Sequence, residues 1–579
     1  MIILEIKKQI ENYLRKFLPD LPGDFVFEIN QPPQTDKGDF SINCFKLIKN
    51  CKKSASQIAS ELNLQLNDAI TEENGFLIKS ENIGPYLNFF INKGFFFSSV
   101  LGEILDKKNN FGQQEIGKGK SILIEYSAPN TNKPQHLGHL RNNFLGWSLA
   151  TIFSTVGYKA IKVNLVNDRG IHICKSMLAY RKWGNGKTPE TEKVKGDHFV
   201  GQYYVLFEKK VKENPELLDE AQKDLEGWEN GNSEILFLWQ LMNKWANDGF
   251  KKTYEKIGVS FDRWYYESDI YNSGRDIILK ALKKGLCYKR EDGAVEIDLT
   301  HDGLDKKVLL RPNTTSVYIT QDIGLAKLKQ DEFNPDKSIY VVASEQDYHF
   351  RVLFRILEIF GFDWVKNCRH LSYGMVFLPE GRMKSREGIV VDADDIIEEM
   401  IQLAKSEIIH RSPNLSPIEV SSRAKVIAIG ALRFFFLKFT PQQEIYFNPK
   451  DSISFEGDSG PYLQYTYARI QSILKKDKPK KRKSKINYNA LTELEEKELL
   501  NILLIYPNVI IEAAENYNPA NLAHYLLKLS QKFNEFYHKH QILKAKAEIR
   551  NARLCLAQAV AQIIKNGLKL LGIDVLEEM

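Results

Sequence analysis

Two histidines, His136 and His139, stand three residues apart around Gly138 in the stretch SAPNTNKPQHLGHLRNN, Ser127 to Asn143. An apolar run, SILIEY, precedes them, and Leu140, Phe144, Trp147 and Ile152 follow with helical spacing. Residues three apart on a helix share a face, and the first turn of a helix carries backbone N–H groups with no partner inside the helix. Pro134 is of a type favoured in that turn, so the helix is expected to begin there, with both imidazoles beside donors that suit an anion. Gly138 has no side chain and lets a flat ring such as adenine approach the backbone. A metal pair could use the same spacing, but no Cys, His or carboxylate follows locally to complete a ligand set. Either histidine alone would read as a capping or packing residue. Strand, turn, H-x-G-H and helix together point to a nucleotide.

A second group sits elsewhere in the chain. Glu125, Asn130 and Gln346 fall at or just after the ends of predicted parallel strands, where open α/β sheets bind ligands. Tyr318 and Asp322, four apart in YITQDIG, share a face if that segment is helical. Taken singly they are a helix cap, a core ring and surface polar groups.

The elements that must position these residues divide the chain into three regions. Residues 1–112 mix helical patterns with short strands (FLIKS, YLNFFIN) in an α/β unit that contains GDFSINCF. Residues 113–395 alternate β-rich runs (SILIEYS, AIKVNLVN, SIYVVAS) with helical patterns, the signature of a Rossmann-like parallel sheet, and a polar helical insertion between the two halves of the sheet is expected at about 180–261. Residues 396–579 read as an all-α bundle. In it, AHYLLKLSQKFNEFYHKHQIL sets Leu526, Leu529, Phe533, Phe536 and Tyr537 on one face. At 579 residues, three or four domains are expected. No apolar run is long enough to span a bilayer, and the first segment lacks the pattern of a signal peptide, so a cytoplasmic protein with no membrane role is expected. Six scattered cysteines with no C-x-x-C pair suggest neither disulfides nor zinc. The net charge of +6 permits a polyanionic partner without requiring one, and the basic run KKDKPKKRKSK, 475–485, reads first as a solvated linker.

His136-Leu137-Gly138-His139 resembles the HIGH motif of class I aminoacyl-tRNA synthetases, and the longer stretch is similar to the arginyl-tRNA synthetase version. YITQDIG and SEQDYHF (344–350) resemble that family's amino-acid pocket, GDFSINC its N-terminal tRNA-binding domain, and GALRFFFLKF (430–439) and GPYLQYTYARI (460–470) its anticodon-binding domain. The resemblance implies an ATP-dependent arginine–tRNA ligase: arginine and ATP, with Mg2+ in the substrate complex, give arginyl-adenylate, and the arginyl group passes to the end of tRNA. It assigns His136, Gly138 and His139 to ATP, Tyr318, Asp322 and Glu125 to the guanidinium, and Asn130 and Gln346 to the α-amino and carboxylate groups. The first region then touches the tRNA elbow, and Tyr462, Tyr465 and Arg469 are candidates to meet the anticodon. A monomer without zinc or another bound metal is expected.

One departure from the family pattern stands out. The second motif, KMSKS, occurs here as Arg382-Met383-Lys384-Ser385-Arg386, with Ser385 where the second lysine belongs. Lys133, just upstream of the histidines, is expected to supply that phosphate charge, helped by Lys384 and Arg386. Other class I synthetases, a small adenylyltransferase and a catalytically silent tRNA-binding paralogue remain as alternatives. The cysteinyl type would want zinc ligands, the glutaminyl type has no use for an acidic pocket, and an adenylyltransferase would leave both flanking regions unexplained.

Overall fold

The computed structural model describes residues 2–70, 76–378, 391–477 and 486–579. Met383, Lys384, Ser385 and Arg386 lie outside the described residues, as does most of the basic run.

The first region builds a three-stranded antiparallel sheet from β1 (Phe40–Asn43), β2 (Leu77–Ile83) and β3 (Tyr86–Ile91), in the order β1-β3-β2. The Ala55–Ala69 helix buries Ile58, Leu62 and Leu66, its capping box closing through Ser54 and Gln57. The strands expected from FLIKS and YLNFFIN are β2 and β3.

The parallel sheet starts with β4 (Ser121–Glu125), β5 (Lys159–Val166) and β6 (Arg263–Tyr266). A small antiparallel sheet follows, made of β7 (Tyr288–Lys289), β8 (Val295–Ile297) and β9 (Lys307–Leu310), before the chain returns through β10 (Lys337–Ala343) and β11 (Cys368–Tyr373). The five-stranded order is β11-β10-β4-β5-β6, with every pair parallel. Ile122, Leu123 and Ile124 of β4 are fully buried, as befits a central strand covered on both faces. From β4 the chain moves to one side for β5 and β6, then crosses to the other for β10. That reversal leaves a crevice beyond the carboxyl ends of β4 and β10. The polar helical stretch lies between β5 and β6, not between the two halves of the sheet. The halves are joined instead through β7–β9 and the Tyr318–Phe333 helix.

The helix after β4 spans Leu137–Thr155, three residues later than Pro134 suggests. His136 is extended, with φ −127° and ψ 177°, and caps the helix, so the proline belongs to the turn. The helix is buried on nearly all sides, with Trp147 only half-buried; Arg141, Asn142 and Asn143 lie inside beside Leu140 and Phe144. Its polar residues act as staples. Arg141 donates to the carbonyls of Gly374, Pro441 and Gln443, and Asn142 donates to Val341 of β10 at 2.8 Å. Gly157 turns the chain back toward β5 at φ +97°, a conformation side chains disfavour.

The last region is helical: Ala393–Arg411, Pro417–Leu437, Gly460–Lys476, Leu494–Glu515, Ala520–Lys539 and Ala547–Leu570. Leu526, Leu529, Phe533 and Phe536 are fully buried, whereas Tyr537 is 37% exposed and stacks on Phe533 at the rim. Buried Arg433 joins this bundle to the region of the parallel sheet, donating to the carbonyls of Ile257 and Leu571 while its guanidinium lies 4.8 Å from the Trp147 ring centre. All six cysteines are free thiols, four of them buried.

Candidate active site

The turn from β4 to the histidine helix is strained and tightly held. Ser127 and Ala128 both sit at positive φ, +84° and +49°, which non-glycine residues adopt at a cost. Asn142 Oδ1 accepts from Ser127 N at 2.6 Å, Asn164 Oδ1 accepts from Ala128 N at 3.1 Å, and the Ser127 hydroxyl lies 2.6 Å from Tyr254 Oη. Asn130 then pairs with Asn167, which follows β5, so the turn is stitched to the neighbouring strand. These bonds fix the approach to the histidines.

Both imidazoles are locked by the backbone. His136 Nδ1 accepts from Gly138 N at 3.1 Å, and His139 Nδ1 accepts from His136 N at 3.2 Å, a capping box made of histidines. A ring nitrogen that accepts carries no hydrogen, so in each neutral ring the hydrogen sits on Nε2. Burial, reinforced by nearby Lys133, pushes the His136 pKa down to about 3. Burial, His136 and Lys133 push His139 well below its ordinary value. The pair therefore offers two uncharged Nε2–H donors at a helix N-terminus. Gly138 is also constrained from within the chain, because a Cβ there would lie 3.0 Å from His136 Cε1. The flat ring against Gly138 here is an imidazole.

Lys133 is half-buried, and burial lowers its pKa. It lines a cavity of 510 Å³ together with Gln135, His198, Lys209 and Asp392. The strand-like segment 391–393 closes the other side of the turn: Leu137 N donates to Val391 O at 3.3 Å and Ala393 N to Gln135 O at 2.9 Å. Arg141 holds Gly374, so described residues on both sides of 379–390 are tied to the histidine helix.

The carboxylates gather around the strand ends. Glu125, the last residue of β4, is buried and meets Lys329 at 2.7 Å, with the Lys329 ammonium 4.2 Å from the Tyr340 ring centre. Asp322 lies one helical turn beyond Tyr318, as the spacing requires, and accepts from His349 Nε2 at 2.7 Å. Tyr318 is 74% exposed, and Gln346 is exposed on a short turn after β10. The sequence reading missed two further carboxylates. Asp168, two residues past β5, accepts from Ser268 N at 2.9 Å and from Ser268 Oγ at 2.7 Å, and burial raises its pKa to about 6. Glu267 directly follows β6, and burial raises it to about 7 despite Arg169 nearby. With its amide oriented to satisfy both neighbours, Gln321 donates to Glu267 Oε1 at 2.7 Å and accepts from Arg169 Nη1 at 3.2 Å. The signal for both was the rule that supported Glu125: a carboxylate at or just past a strand end, in NDRG and in YYES.

Residues 100–448 match the family described as "tRNA synthetases class I (R), catalytic domain". The chain belongs to the arginyl-tRNA synthetase family. Residues 4–91 match the arginyl-tRNA synthetase N-terminal domain, and 463–579 the DALR anticodon-binding domain. The chain is 45% identical to the arginine–tRNA ligase of Treponema denticola, with 97% of this chain and 96% of that one covered. It is 43% identical to that of Parabacteroides distasonis, covering 99% and 100%. Among solved structures it resembles Thermus thermophilus arginyl-tRNA synthetase, with a TM-score of 0.78, 25% identity and coverage of 99% and 100%. As a member of this family, the chain is an ATP-dependent aminoacyl-tRNA ligase. No helix among the described residues is long and apolar enough to cross a membrane.

Two more features bear on the family's work. Asp197, His198 and Asp394 each offer a ligand atom within 4.8 Å of the others, a spacing a metal could use. The Lys195 ammonium already lies 2.9 Å from Asp197 and 2.5 Å from Asp394, so a resident cation fills that role. In the anticodon-binding domain, the Arg469 guanidinium lies 4.8 Å from the Tyr465 ring centre and 5.8 Å from that of Tyr537. Arg469 and Tyr462 share Asn534, and Tyr465, Arg469 and Tyr537 line a cavity of 290 Å³ beside Met579.

Proposed function

We propose that the chain forms arginyl-adenylate with the histidine turn as its nucleotide half and the acidic strand ends as its amino-acid half. The arginine carboxylate attacks the α-phosphate of the ATP–Mg2+ substrate, and negative charge grows on phosphoryl oxygens and on the departing pyrophosphate. His136 and His139 meet that charge through their Nε2–H groups, which the backbone has already oriented, so little reorganisation accompanies the reaction. Lys133 adds a cation where KMSKS has lost one, and Met383, Lys384, Ser385 and Arg386 complete the ATP contacts. Asp322, Tyr318 and Glu125 receive the guanidinium fork, with Glu267 as a further acceptor. Asn130 and Gln346 hold the α-amino and carboxylate groups. The arginyl group then passes to the terminal ribose of tRNA.

In this reading residues 113–395 carry the chemistry, 1–112 contact the tRNA elbow, and 396–579 read the anticodon. The N-terminal cavity of 630 Å³, lined by Asn30, Gln31, Lys37, Asn43, Tyr86 and Asn88, supports the elbow role. It joins amide donors and acceptors to a ring and a cation, which suits an unstacked base. Tyr462, Tyr465 and Arg469 give the bundle a stacking platform of the same kind.

The observation that carries the reading is the pair of neutral, backbone-locked histidines at the N-terminus of a buried helix, beside the crevice of an open parallel sheet. Arginine-dependent ATP–pyrophosphate exchange, run with and without tRNA, tests it. Lys133→Ala is expected to slow exchange by about one hundredfold, the scale of losing one preorganised donor. An unchanged rate at saturating ATP removes Lys133 from the mechanism.

A further inference from the structure

The polar knot formed by Lys195, His198, Asp392 and Asp394 lies outside the set of residues assigned to substrates, yet it is built into the wall of the nucleotide half. These four and the side chains packed around them come from three elements. Lys195 caps the Gly196–Glu213 helix, which also carries Asp197 and His198. Thr253 and Lys256 project from the Ser233–Ile257 helix, and Asp392 and Asp394 open the Ala393–Arg411 helix. Lys195 Nζ reaches Asp394 Oδ2 at 2.5 Å and Thr253 Oγ1 at 2.5 Å. His198 Nε2 lies 3.2 Å from Asp394 and 3.4 Å from Asp392, bridging the two carboxylates. Burial opposes the charged form of His198, but Asp394 and Asp392 together raise its pKa above the ordinary value.

The knot matters because of what Asp392 does with its backbone. Asp392 stands opposite His136 in an antiparallel bridge flanked by the bonds from Leu137 N to Val391 O and from Ala393 N to Gln135 O. Its side chain caps its own helix, accepting from Asp394 N at 2.7 Å. A shift of Asp392 therefore moves the partner strand of the turn that carries His136, with Lys133 three residues before it. The segment bearing Met383 to Arg386 ends in sequence just before Val391, so the knot also fixes its far anchor. Gly201, on the same helix as His198, leaves no room for slack: a Cβ there would lie 2.8 Å from Pro134 Cδ.

We propose that His198 and Lys195 are positioning residues for ATP activation: they clamp Asp392 and Asp394, and through the 391–393 backbone they hold the histidine turn against the insertion helices. The inference rests on the reading of that turn as the nucleotide half. The clamp acts on the ATP side only, since Asp322, Tyr318 and Gln346 stand on other elements.

The test is ATP–pyrophosphate exchange with tRNA present, reading KM for ATP and for arginine separately, together with thermal melting. His198→Leu is expected to raise the ATP KM about tenfold, within the range that small misplacements of reacting groups produce, and to leave the arginine KM within about twofold. His198→Gln keeps a donor and recovers most of the loss. Thr253→Val, which removes a neutral hydroxyl that donates to Asp394 at 3.3 Å, shifts the ATP KM about twofold in the same direction without leaving a bare charge. Equal rises in both KM values, no change in either, or a glutamine variant no better than leucine would overturn the clamp. His139→Ala, run alongside, separates the failures: if it leaves ATP use unchanged, the nucleotide reading of the turn is what fails.

Discussion

The histidine turn and the acidic strand ends both lie at or beyond the carboxyl ends of the parallel strands, and in the proposed reading they solve opposite problems. On the side proposed for the nucleotide the polar groups are uncharged: His136 and His139 are kept neutral by burial and oriented by backbone N–H groups. They need no counter-ion and stand ready before substrate arrives. On the side proposed for the amino acid the groups are carboxylates, and each has an internal partner: Glu125 has Lys329, Asp322 has His349, and Glu267 has Gln321 with Arg169 nearby. A buried charge without compensation is expensive, so a pocket for a cation must carry stand-ins until the cation arrives. Neutral donors can be built in place, whereas charged acceptors have to be masked.

The largest effect that could break this contrast is at Glu125. Lys329→Met leaves its buried carboxylate unpaired and is expected to cost about 3–5 kcal/mol of stability in a urea titration, while the double variant with Glu125→Gln recovers most of it. A loss below about 1 kcal/mol, the scale of an exposed pair, would show that the carboxylate is not masked at all. Next comes His139→Ala, which removes one preorganised donor and is expected to lower pyrophosphate exchange about 100- to 1000-fold, roughly 2.7–4 kcal/mol, while the lost capping bond costs about 1 kcal/mol of stability.

Proton linkage sharpens the comparison, because the two sides slope in opposite directions. The folded state holds His136 neutral down to about pH 3, so below the ordinary histidine range the unfolded chain takes up the proton first, and stability falls as pH drops from about 6.5 toward 3. Glu267 binds its proton more tightly when folded, up to about pH 7, so its contribution is complete below about pH 4.5 and disappears as pH rises through 7. His136→Gln is therefore expected to gain on the parent protein as pH falls, and Glu267→Gln to gain as pH rises, each by at most about 1.4 kcal/mol per pH unit. Parallel slopes in denaturation midpoints would erase the distinction. The smallest effect concerns specificity: Asp322→Asn is expected to raise the arginine KM about tenfold, or about 1.4 kcal/mol, while the ATP KM stays within about twofold. Equal changes in both would make Asp322 a structural residue.

Much of this was legible in the letters because it follows from local rules. Strand runs such as SILIEYS gave β4, and the family resemblance named Glu125, Asn130 and Gln346, with the rule that ligands gather at or past the ends of parallel strands as support. The same rule, applied to NDRG and YYES, would have found Asp168 and Glu267. The start of the histidine helix was misplaced because proline preference argued for Pro134, whereas the cap is supplied by His136 itself, a residue type absent from ordinary capping rules. Leu140, Phe144 and Ile152 are buried as their spacing suggests, but the helix is also buried on most of its other sides, since Arg141 and Asn142 find their partners hundreds of residues away in sequence.

The sequence by itself determined the element types, the order of the three regions and the residue kinds gathered at the strand ends, because periodicity, turn chemistry and motif spacing act over a few residues. Only the tertiary structure decided the charge states and partners. The neutrality of His136, the pairing of Glu125 with Lys329 across 204 residues, and the clamp of His198 on Asp392 and Asp394 depend on desolvation and on contacts between distant segments. Electrostatic energy is set by distance and burial in space, and neither is written in the spacing of letters along a chain.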